Sequence, residues 1–278
     1  MKSNLEMEQM TATQHFVPRF YLKSFAMNNK VWAFDKQKGR CFYSSIDRIC
    51  AENYLYELKD FDGQYLDVNY IEKLFQRQEN IWAPLLKKIT KVCDTIEGKN
   101  SFIVSTTEKS ELLDFAINML HRNPAFLQAI TTSFEENGVY DFVDDQLRVG
   151  FPDLQKEEIQ NYHASLERFI LYSDDRASKG EKERFSRYYF YVGFAAGELI
   201  TSSFPVCLSK KTGCDKLILP ISPDYALIWT ENKLGKMANV LLPMSDEIIA
   251  DLRRCYFEKS FKDCRFVIAD RKDKIICA

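Results

Sequence analysis

The sequence has few of the residues from which common catalytic motifs are built. Its 278 residues include three histidines and ten glycines, and the glycines form neither a Gly-x-Gly-x-x-Gly array nor a Gly-x-Ser-x-Gly elbow. A His-Glu-x-x-His helix is also absent. These absences exclude the phosphate-loop, nucleophile-elbow and zinc-protease interpretations, and three histidines do not favour a metal site made of several imidazoles.

Paired cysteines, secretion signals and long apolar runs are missing as well. The eight cysteines are scattered, and no two of them form the Cys-x-x-Cys pair that structural zinc sites use. Residues 1–13 lack the apolar core of a secretion signal, and no apolar run approaches about 18 residues. The sequence therefore predicts a cytoplasmic protein with reduced thiols, no cofactor and no membrane partner.

Charge of one sign does not predominate, and apolar residues are plentiful. The chain carries 38 basic and 40 acidic side chains, so its net charge of −2 gives no case for nucleic-acid binding. With 46% hydrophobic residues it can bury a substantial core. We predict one domain over residues 1–278, with β-rich subregions at 14–60 and 186–278 and a helical subregion at 67–172.

Strand patterns lie towards both ends of the chain. Residues 31–35 and 39–44 are rich in β-forming side chains on either side of a short polar turn, which predicts a β-hairpin. In the last third, Tyr188 to Phe194 and Glu198 to Thr201 predict a pair of neighbouring strands. Further predicted strands lie at 206–208, 216–221, 225–229 and 265–269, and Ser245 caps a predicted helix ending near Phe257.

Helical periodicity occupies the middle of the chain. Ser105 with Glu108 predicts a capping box, and Asn123 followed by Pro124 predicts the start of a helix that runs to about Glu136. The predicted fold class is therefore α+β, with an N-terminal short β-hairpin, a central helical bundle and a C-terminal, mainly antiparallel β-sheet with one helix.

Two interruptions are predicted within the helical region. Pro84 lies inside an apolar-periodic run, and we expect it to kink the helix or to split it in two. Residues 173–183 are polar and charged and contain Gly180, so we predict a mobile loop there.

The densest motif lies near the start, at residues 14–25. Pro18 keeps the preceding residues extended and permits a short helix after it, with Tyr21, Leu22 and Phe25 directed inward. His15 and Arg19 then lie at the mouth of this turn. We therefore consider Arg19 as a substrate-binding residue.

His15 and Arg122 are the candidate catalytic residues, and each has a structural alternative. The imidazole of His15 either acts as a general acid/base or phosphate contact, or bonds a backbone carbonyl and locks the segment. The guanidinium of Arg122 either binds an anionic group such as phosphate or satisfies carbonyls at the end of the preceding helix. The hydroxyls of Thr201 and Ser202 precede Pro205 and fit either a substrate-binding rim or an ordinary turn.

Several blocks of the chain resemble one known family. Gln14-His15-x-Val17-Pro18-x-x-Tyr21-Leu22-x-x-Phe25 resembles the opening signature of a bacterial family named domain of unknown function 4238. The later blocks that resemble the family, in order, are Asp35-Lys36, Glu52 to Tyr56, a helix bearing Glu72 and Glu79, Arg122-x-Pro124, Thr201 to Pro205, and Leu219 to Pro223.

The resemblance supplies a map of residues rather than an activity. It implies an aspartate after Thr-Ser in the late motif, where this chain has Ser203, so a catalytic aspartate at that place would be missing here. Glu72 and Glu79 are seven residues apart and share one helical face. They form either a magnesium site or a charged surface, and surface charge is the favoured interpretation.

Two functional hypotheses follow. The first is an intracellular bacterial hydrolase or nuclease-like enzyme that acts on a phosphate-bearing substrate, a nucleotide or nucleic acid, with His15 as acid/base and Arg122 on the phosphate. The second is a non-catalytic binding or regulatory module, for example in bacterial defence or a toxin-like system. The first predicts that His15, Arg122 and Thr201 line one open cleft.

Overall fold

A computed structural model describes residues 10–95, 104–173, 176–209, 215–231, 240–260 and 262–276. The helices are α1 (Arg19–Lys23), α2 (Tyr70–Thr95), α3 (Thr106–His121), α4 (Pro124–Glu136), α5 (Val139–Gly150), α6 (Lys156–Ser173), α7 (Arg176–Ser186), α8 (Asp246–Glu258) and α9 (Asp273–Ile276). The strands are β1 (Thr13–His15), β2 (Lys30–Asp35), β3 (Arg40–Ser45), β4 (Ala51–Asn53), β5 (Tyr189–Phe194), β6 (Thr201–Ser202), β7 (Cys207–Ser209), β8 (Lys216–Pro220), β9 (Tyr225–Thr230), β10 (Leu241–Pro243) and β11 (Phe266–Ala269).

A four-stranded antiparallel sheet joins the two ends of the chain. Its order is β3-β2-β11-β6, and β2 with β3 forms the predicted N-terminal hairpin. The neighbour of β2 on its other side is β11, whose Val267 lies opposite Phe34. Val267 and Ala33 are fully buried in this sheet. The sheet therefore combines the first and last β-rich subregions, while the boundaries of a single domain over 1–278 stay a prediction.

The second large sheet belongs to the last third of the chain. Its order is β10-β5-β9-β8-β7, and every pairing is antiparallel except the parallel pair of β10 and β5. All six residues of β9 are buried, as expected for a central strand covered on both faces. The α+β class is thus confirmed, with the N-terminal strands, the central helices and the mainly antiparallel C-terminal sheet.

The partner of β5 differs from the predicted one. We expected residues 198–201 to pair with it, but the structure pairs β5 with β9. Ala196 and Gly197 have left-handed backbone, with φ of 46° and 82°, and turn the chain away from the sheet. Leu199 N then donates to Pro223 O over 2.9 Å, so this segment follows the turn before β9.

Local capping signals identified two helix starts correctly. The side chain of Ser105 accepts from Glu108 N, and the side chain of Glu108 accepts from Ser105 N, so the predicted capping box is formed at α3. Asn123 caps α4, its Oδ1 accepting from Ala125 N over 2.9 Å, and Pro124 is the first helical residue. None of the helices in the described ranges combines the length and apolar composition that a membrane-crossing helix needs.

The two predicted interruptions of the helical region were less accurate. Helix α2 is not split at Pro84 and extends over 26 residues, and the alternative of a kink at Pro84 stays a prediction. Most of the predicted loop is helix α7, although residues 174–175 lie outside the described residues. On α7, the side chain of Phe185 is buried, and Lys182 Nζ lies 2.9 Å from Asp114 Oδ1 on α3. The polar residues that suggested a loop therefore belong to a helix that packs against the protein on one side and exposes polar residues on the other.

Candidate functional site

The opening motif forms a buried turn between β1 and α1. His15 ends β1 and lies opposite Ala51 of β4, and α1 begins one residue after Pro18. Tyr21, Leu22 and Phe25 are fully buried. The predicted short helix is therefore present, and its apolar face anchors the N-terminal segment to the core.

His15 is held in place by the backbone on two sides. Its Nε2 lies 3.2 Å from Ile46 O, and because a carbonyl can only accept, this nitrogen carries the proton and donates. The backbone carbonyl of His15 accepts from Arg122 Nη2 over 2.8 Å. Burial lowers the pKa of His15 below 6.5, and the positive charges of Arg19 and Arg122 add to this effect. His15 is therefore a neutral donor at pH 7.

Replacing His15 by alanine is expected to lower the free energy of unfolding by about 1–2 kcal/mol, because one hydrogen bond and the packing of the ring are lost. Urea unfolding at pH 7.5 measures the change. Thr13→Ala, on the exposed side of the same strand, is the control and should remain within about 0.5 kcal/mol of the wild type. Equal stability of the wild type and His15→Ala would contradict the anchoring role.

Arg122 is the largest buried polar side chain of this region. Only 2% of it is exposed, although it lies at the junction of α3 and α4. Its Nη1 lies 2.6 Å from Glu79 Oε1 on α2, and its guanidinium carbon lies 4.0 Å from the ring centroid of Phe75. Together with its bond to the carbonyl of His15, Arg122 links α2, α3 and β1. All of these contacts are with protein groups.

Glutamate side chains lie near Arg122. Surface charge was the favoured interpretation of Glu72 and Glu79, but both side chains are partly buried. Glu57 is buried and accepts from Gln14 Nε2 over 2.5 Å and from Asn69 N over 3.2 Å. Glu72 is partly buried, and its Oε1 has no partner within the described part of the chain. Burial raises the pKa of Glu72 to about 7; Arg122 opposes this rise, while Glu79 and Glu57 add to it.

No metal cluster accounts for these glutamates. Within the described residue ranges, no group of three or more His, Cys, Asp or Glu side chains is arranged to hold a metal ion. Glu79 pairs with Arg122, and the partly buried Glu72 and Glu79 both line a cavity of about 280 Å³.

The three candidate substrate-binding residues lie in different environments. Arg19 is exposed and pairs with Asp47. Thr201 is fully buried, with its Oγ1 2.7 Å from Tyr21 Oη. Ser202 is also buried, and its Oγ donates to Phe204 O over 2.7 Å and accepts from Phe204 N over 3.1 Å. The structure brings His15 and Arg122 into contact, but it places these hydroxyls on other partners.

Four of the sequence blocks that resemble the family, which we call signature blocks, meet at a cavity that contains none of these candidate residues. Phe16, Glu52, Asn123, Pro124 and Ser203, which come from four separate blocks, line one cavity of about 370 Å³. We call it the signature cavity. Asn123 Nδ2 donates to Ser203 O over 2.7 Å, which fixes the start of α4 against the end of β6. The cavity is thus built from segments that are far apart in sequence.

Positively charged side chains surround this cavity. Arg48, Lys262 and Arg265 are among its lining residues, together with the carboxylates of Glu52 and Asp263. Arg48 and Lys262 are exposed, and neither side chain has an ion-pair or hydrogen-bond partner among the described residues. Arg265 Nη2 lies 3.1 Å from Asp35 Oδ2. Two unpaired cations are therefore available to a ligand.

These features define an α+β protein in which separate signature blocks enclose a buried arginine network and one cation-lined cavity. The chain belongs to the family described as Protein of unknown function (DUF4238), whose model matches residues 13–273. The suspected family is thereby confirmed. No curated protein and no solved structure matches this chain.

Proposed function

We propose that the protein binds a phosphate-bearing ligand, of nucleotide size, in the signature cavity and acts as a binding or regulatory module. The observation that carries this proposal is the presence of two unpaired cations, Arg48 and Lys262, at a cavity lined by four signature blocks. We place this function in a bacterial cytoplasm, in keeping with the scattered, free cysteines, and a defence or toxin-like system is one setting for it.

The electrostatics of the cavity support a phosphate ligand. Arginine presents forked donors that match phosphate oxygens, and lysine acts as a point charge. Helix α4 begins at the cavity wall with Pro124, so the partial positive charge of its N-terminus adds to that of Arg48 and Lys262. Because Arg265 is paired with Asp35, Arg48 and Lys262 are matched in number by the carboxylates of Glu52 and Asp263. A phosphate is therefore favoured by the two unpaired cationic side chains rather than by an excess of positive charge.

Binding without chemistry is favoured by what the cavity contains. Ser203 Oγ accepts from Phe266 N over 3.0 Å, and the family resemblance implies an aspartate at this position in other members. His15 Nε2 and both terminal nitrogens of Arg122 are bonded to protein groups, and neither residue lines the signature cavity. The hydrolase alternative requires His15 to act as acid/base, and phosphate release from ATP by the same samples would distinguish it.

The double substitution Arg48→Gln/Lys262→Gln is expected to weaken ATP binding about tenfold, a loss of about 1.4 kcal/mol. Calorimetric titration of ATP into the wild type and the double variant measures this change. Lys87→Gln/Lys91→Gln, two exposed lysines on α2, is the matched control because it removes the same charge outside the signature cavity. It should weaken binding less than about twofold.

Two results would contradict this proposal. One is the absence of ATP and pyrophosphate binding at about 1 mM, which is the weak limit of a specific site. The other is an equal loss of affinity in the two double variants, which would show that net charge rather than the signature cavity attracts the ligand.

A further inference from the structure

A second cavity lies within the helical region, and no signature block predicted it. It has a volume of about 200 Å³ and is formed by residues of α2, α3, α6 and α7. We call it the helical groove. Its lining residues and those of the signature cavity have no member in common. The helical groove is therefore a separate candidate binding site.

Three buried polar atoms of the residues that line the helical groove lack a partner. Among the described residues, Asn118 Oδ1, His121 Nε2 and Tyr172 Oη are all inaccessible and make no hydrogen bond. Only 4% of His121 is exposed, and its ring is stacked on Phe126 with centroids 4.4 Å apart. Because buried polar groups are nearly always paired, three unpaired ones around one cavity indicate a missing partner.

The three atoms specify a ligand that both donates and accepts hydrogen bonds. Asn118 Nδ2 donates to Gln78 Oε1 over 3.3 Å, so the amide oxygen is left as a pure acceptor. Tyr172 Oη can donate its proton. His121 is kept neutral, because burial lowers its pKa, and its Nε2 can take either role. A partner therefore needs at least one N–H or O–H group and one acceptor.

The shape and walls of the helical groove favour a flat ring. Phe75, Trp82 and Tyr172 supply three aromatic walls, and Ile117 and Leu171 are further apolar lining residues. A cavity of about 150 Å³ is large enough for a benzene-sized ring, so about 200 Å³ admits a heterocycle with exocyclic groups. A drug-sized molecule needs at least about 300 Å³ and is too large.

The charges at the helical groove disfavour an anion. Its lining contains the carboxylates of Glu111 and Asp114 and the ammonium of Lys182. Asp114 pairs with Lys182 over 2.9 Å, and Glu111 Oε2 accepts from Trp82 Nε1 over 3.3 Å. Because the carboxylates exceed the cations, a phosphate or carboxylate group would be repelled. An anionic ligand is thus disfavoured in the groove.

We propose that the helical groove binds an uncharged planar heterocycle of the nucleobase kind. The ring lies against the aromatic walls, and rotations of the Asn118, His121 and Tyr172 side chains bring their unpaired polar atoms, which are covered in the empty groove, onto its N–H and acceptor atoms. This site does not depend on the phosphate site proposed above, since the lining residues and the preferred charge of the ligand differ.

Calorimetric titration with adenine and with cytosine tests this site on the full chain. We expect at least one of these two bases to bind with a dissociation constant below about 1 mM. Tyr172→Phe removes only an unpaired oxygen, so it should weaken that binding about 5- to 10-fold without loss of folding. Tyr54→Phe, the same change at an exposed tyrosine outside the groove, should bind as the wild type does.

Three results would overturn the proposal. Neither base binds the wild type at about 1 mM, or Tyr172→Phe binds the base as tightly as the wild type. A crystal structure of the protein soaked with the base could also show only ordered waters bonded to Asn118, His121 and Tyr172. That last result would identify water as the partner of the unpaired atoms.

Discussion

Replacing Arg122 by methionine is expected to lower the free energy of unfolding by about 3–5 kcal/mol, the usual cost of removing one partner from a buried ion pair. The substitution leaves Glu79 without its partner over 2.6 Å and leaves the carbonyl of His15 without its donor. It also removes the positive charge that opposes the raised pKa of Glu72. Methionine is apolar and flexible enough to fill much of the space, so the loss reports mainly on charge and hydrogen bonds.

Urea unfolding of Arg122→Met, with two further variants, separates the ion pair from packing. Arg19→Met, which affects an exposed arginine paired with Asp47, should change stability by less than about 1 kcal/mol. Arg122→Met/Glu79→Leu should recover part of the loss, because no carboxylate is left unpaired at position 79. If Arg122→Met unfolds at the same urea concentration as the wild type, Arg122 is not the link between α2, α3 and β1.

Replacing Glu72 by glutamine is expected to raise stability by about 2–3 kcal/mol above pH 7, and to have little effect below pH 4.5. The pKa of this carboxyl is raised from 4.5 to about 7 in the folded protein. Between these values the folded state holds a proton that the unfolded state has released, so stability falls as pH rises. Glutamine has no proton to lose and therefore avoids this fall.

Unfolding curves of the wild type and Glu72→Gln at pH 4.5, 6 and 8 measure the effect, and these three values span the titration of the folded carboxyl. The difference between the two proteins should increase with pH and level off above about 7. Glu136→Gln, an exposed glutamate on α4, is the matched control and should follow the wild type at each pH. A difference that is constant with pH would show that Glu72 is not a buried carboxyl with a raised pKa.

Signals carried by neighbouring residues predicted local structure well. The capping box of Ser105 and Glu108 needs only residues three apart, and the cap formed by Asn123 before Pro124 needs only two adjacent ones. The β2–β3 hairpin is likewise a short-range pairing. In each case the interacting residues are so close in sequence that the chain has few alternatives.

Strand pairings between segments far apart in the chain could not be predicted from such local signals. The partner of β5 is β9, about 35 residues later, and the strand beside β2 is β11, more than 200 residues later. The prediction of a neighbouring partner for β5 failed because Ala196 and Gly197 turn the chain away from the sheet. The loop predicted from the polar composition of residues 173–183 was also wrong, because most of this segment is helix α7, which is anchored by the buried side chain of Phe185.

None of the site residues selected from the sequence lines the signature cavity, and their functional roles stay predictions. Sequence reasoning selected Arg122, yet the contacts to Glu79 and to the carbonyl of His15 depend on the packing of α2, α3 and β1. Arg48 and Lys262 were missed, because neither lies in a recognisable block and only the folded chain places them at one cavity. No sequence signal marks them apart from their charge.

The same reasoning explains why the signature residues differ from the residues that we propose bind a ligand. Gln14, His15, Tyr21 and Arg122 make hydrogen bonds within the core or to the backbone, and these bonds fix the segments that enclose the signature cavity. The exposed cations of the signature cavity, Arg48 and Lys262, come from the connecting segments. A motif search finds the first group and passes over the second.

Calorimetric titration of ATP into His15→Ala and into Arg48→Gln/Lys262→Gln, side by side at a temperature where both are folded, tests the central claim most directly. The account predicts that His15→Ala binds ATP within about twofold of the wild type, whereas the double variant binds about tenfold more weakly. The opposite pattern, lost binding or lost phosphate release in folded His15→Ala with unchanged affinity in the double variant, would contradict it.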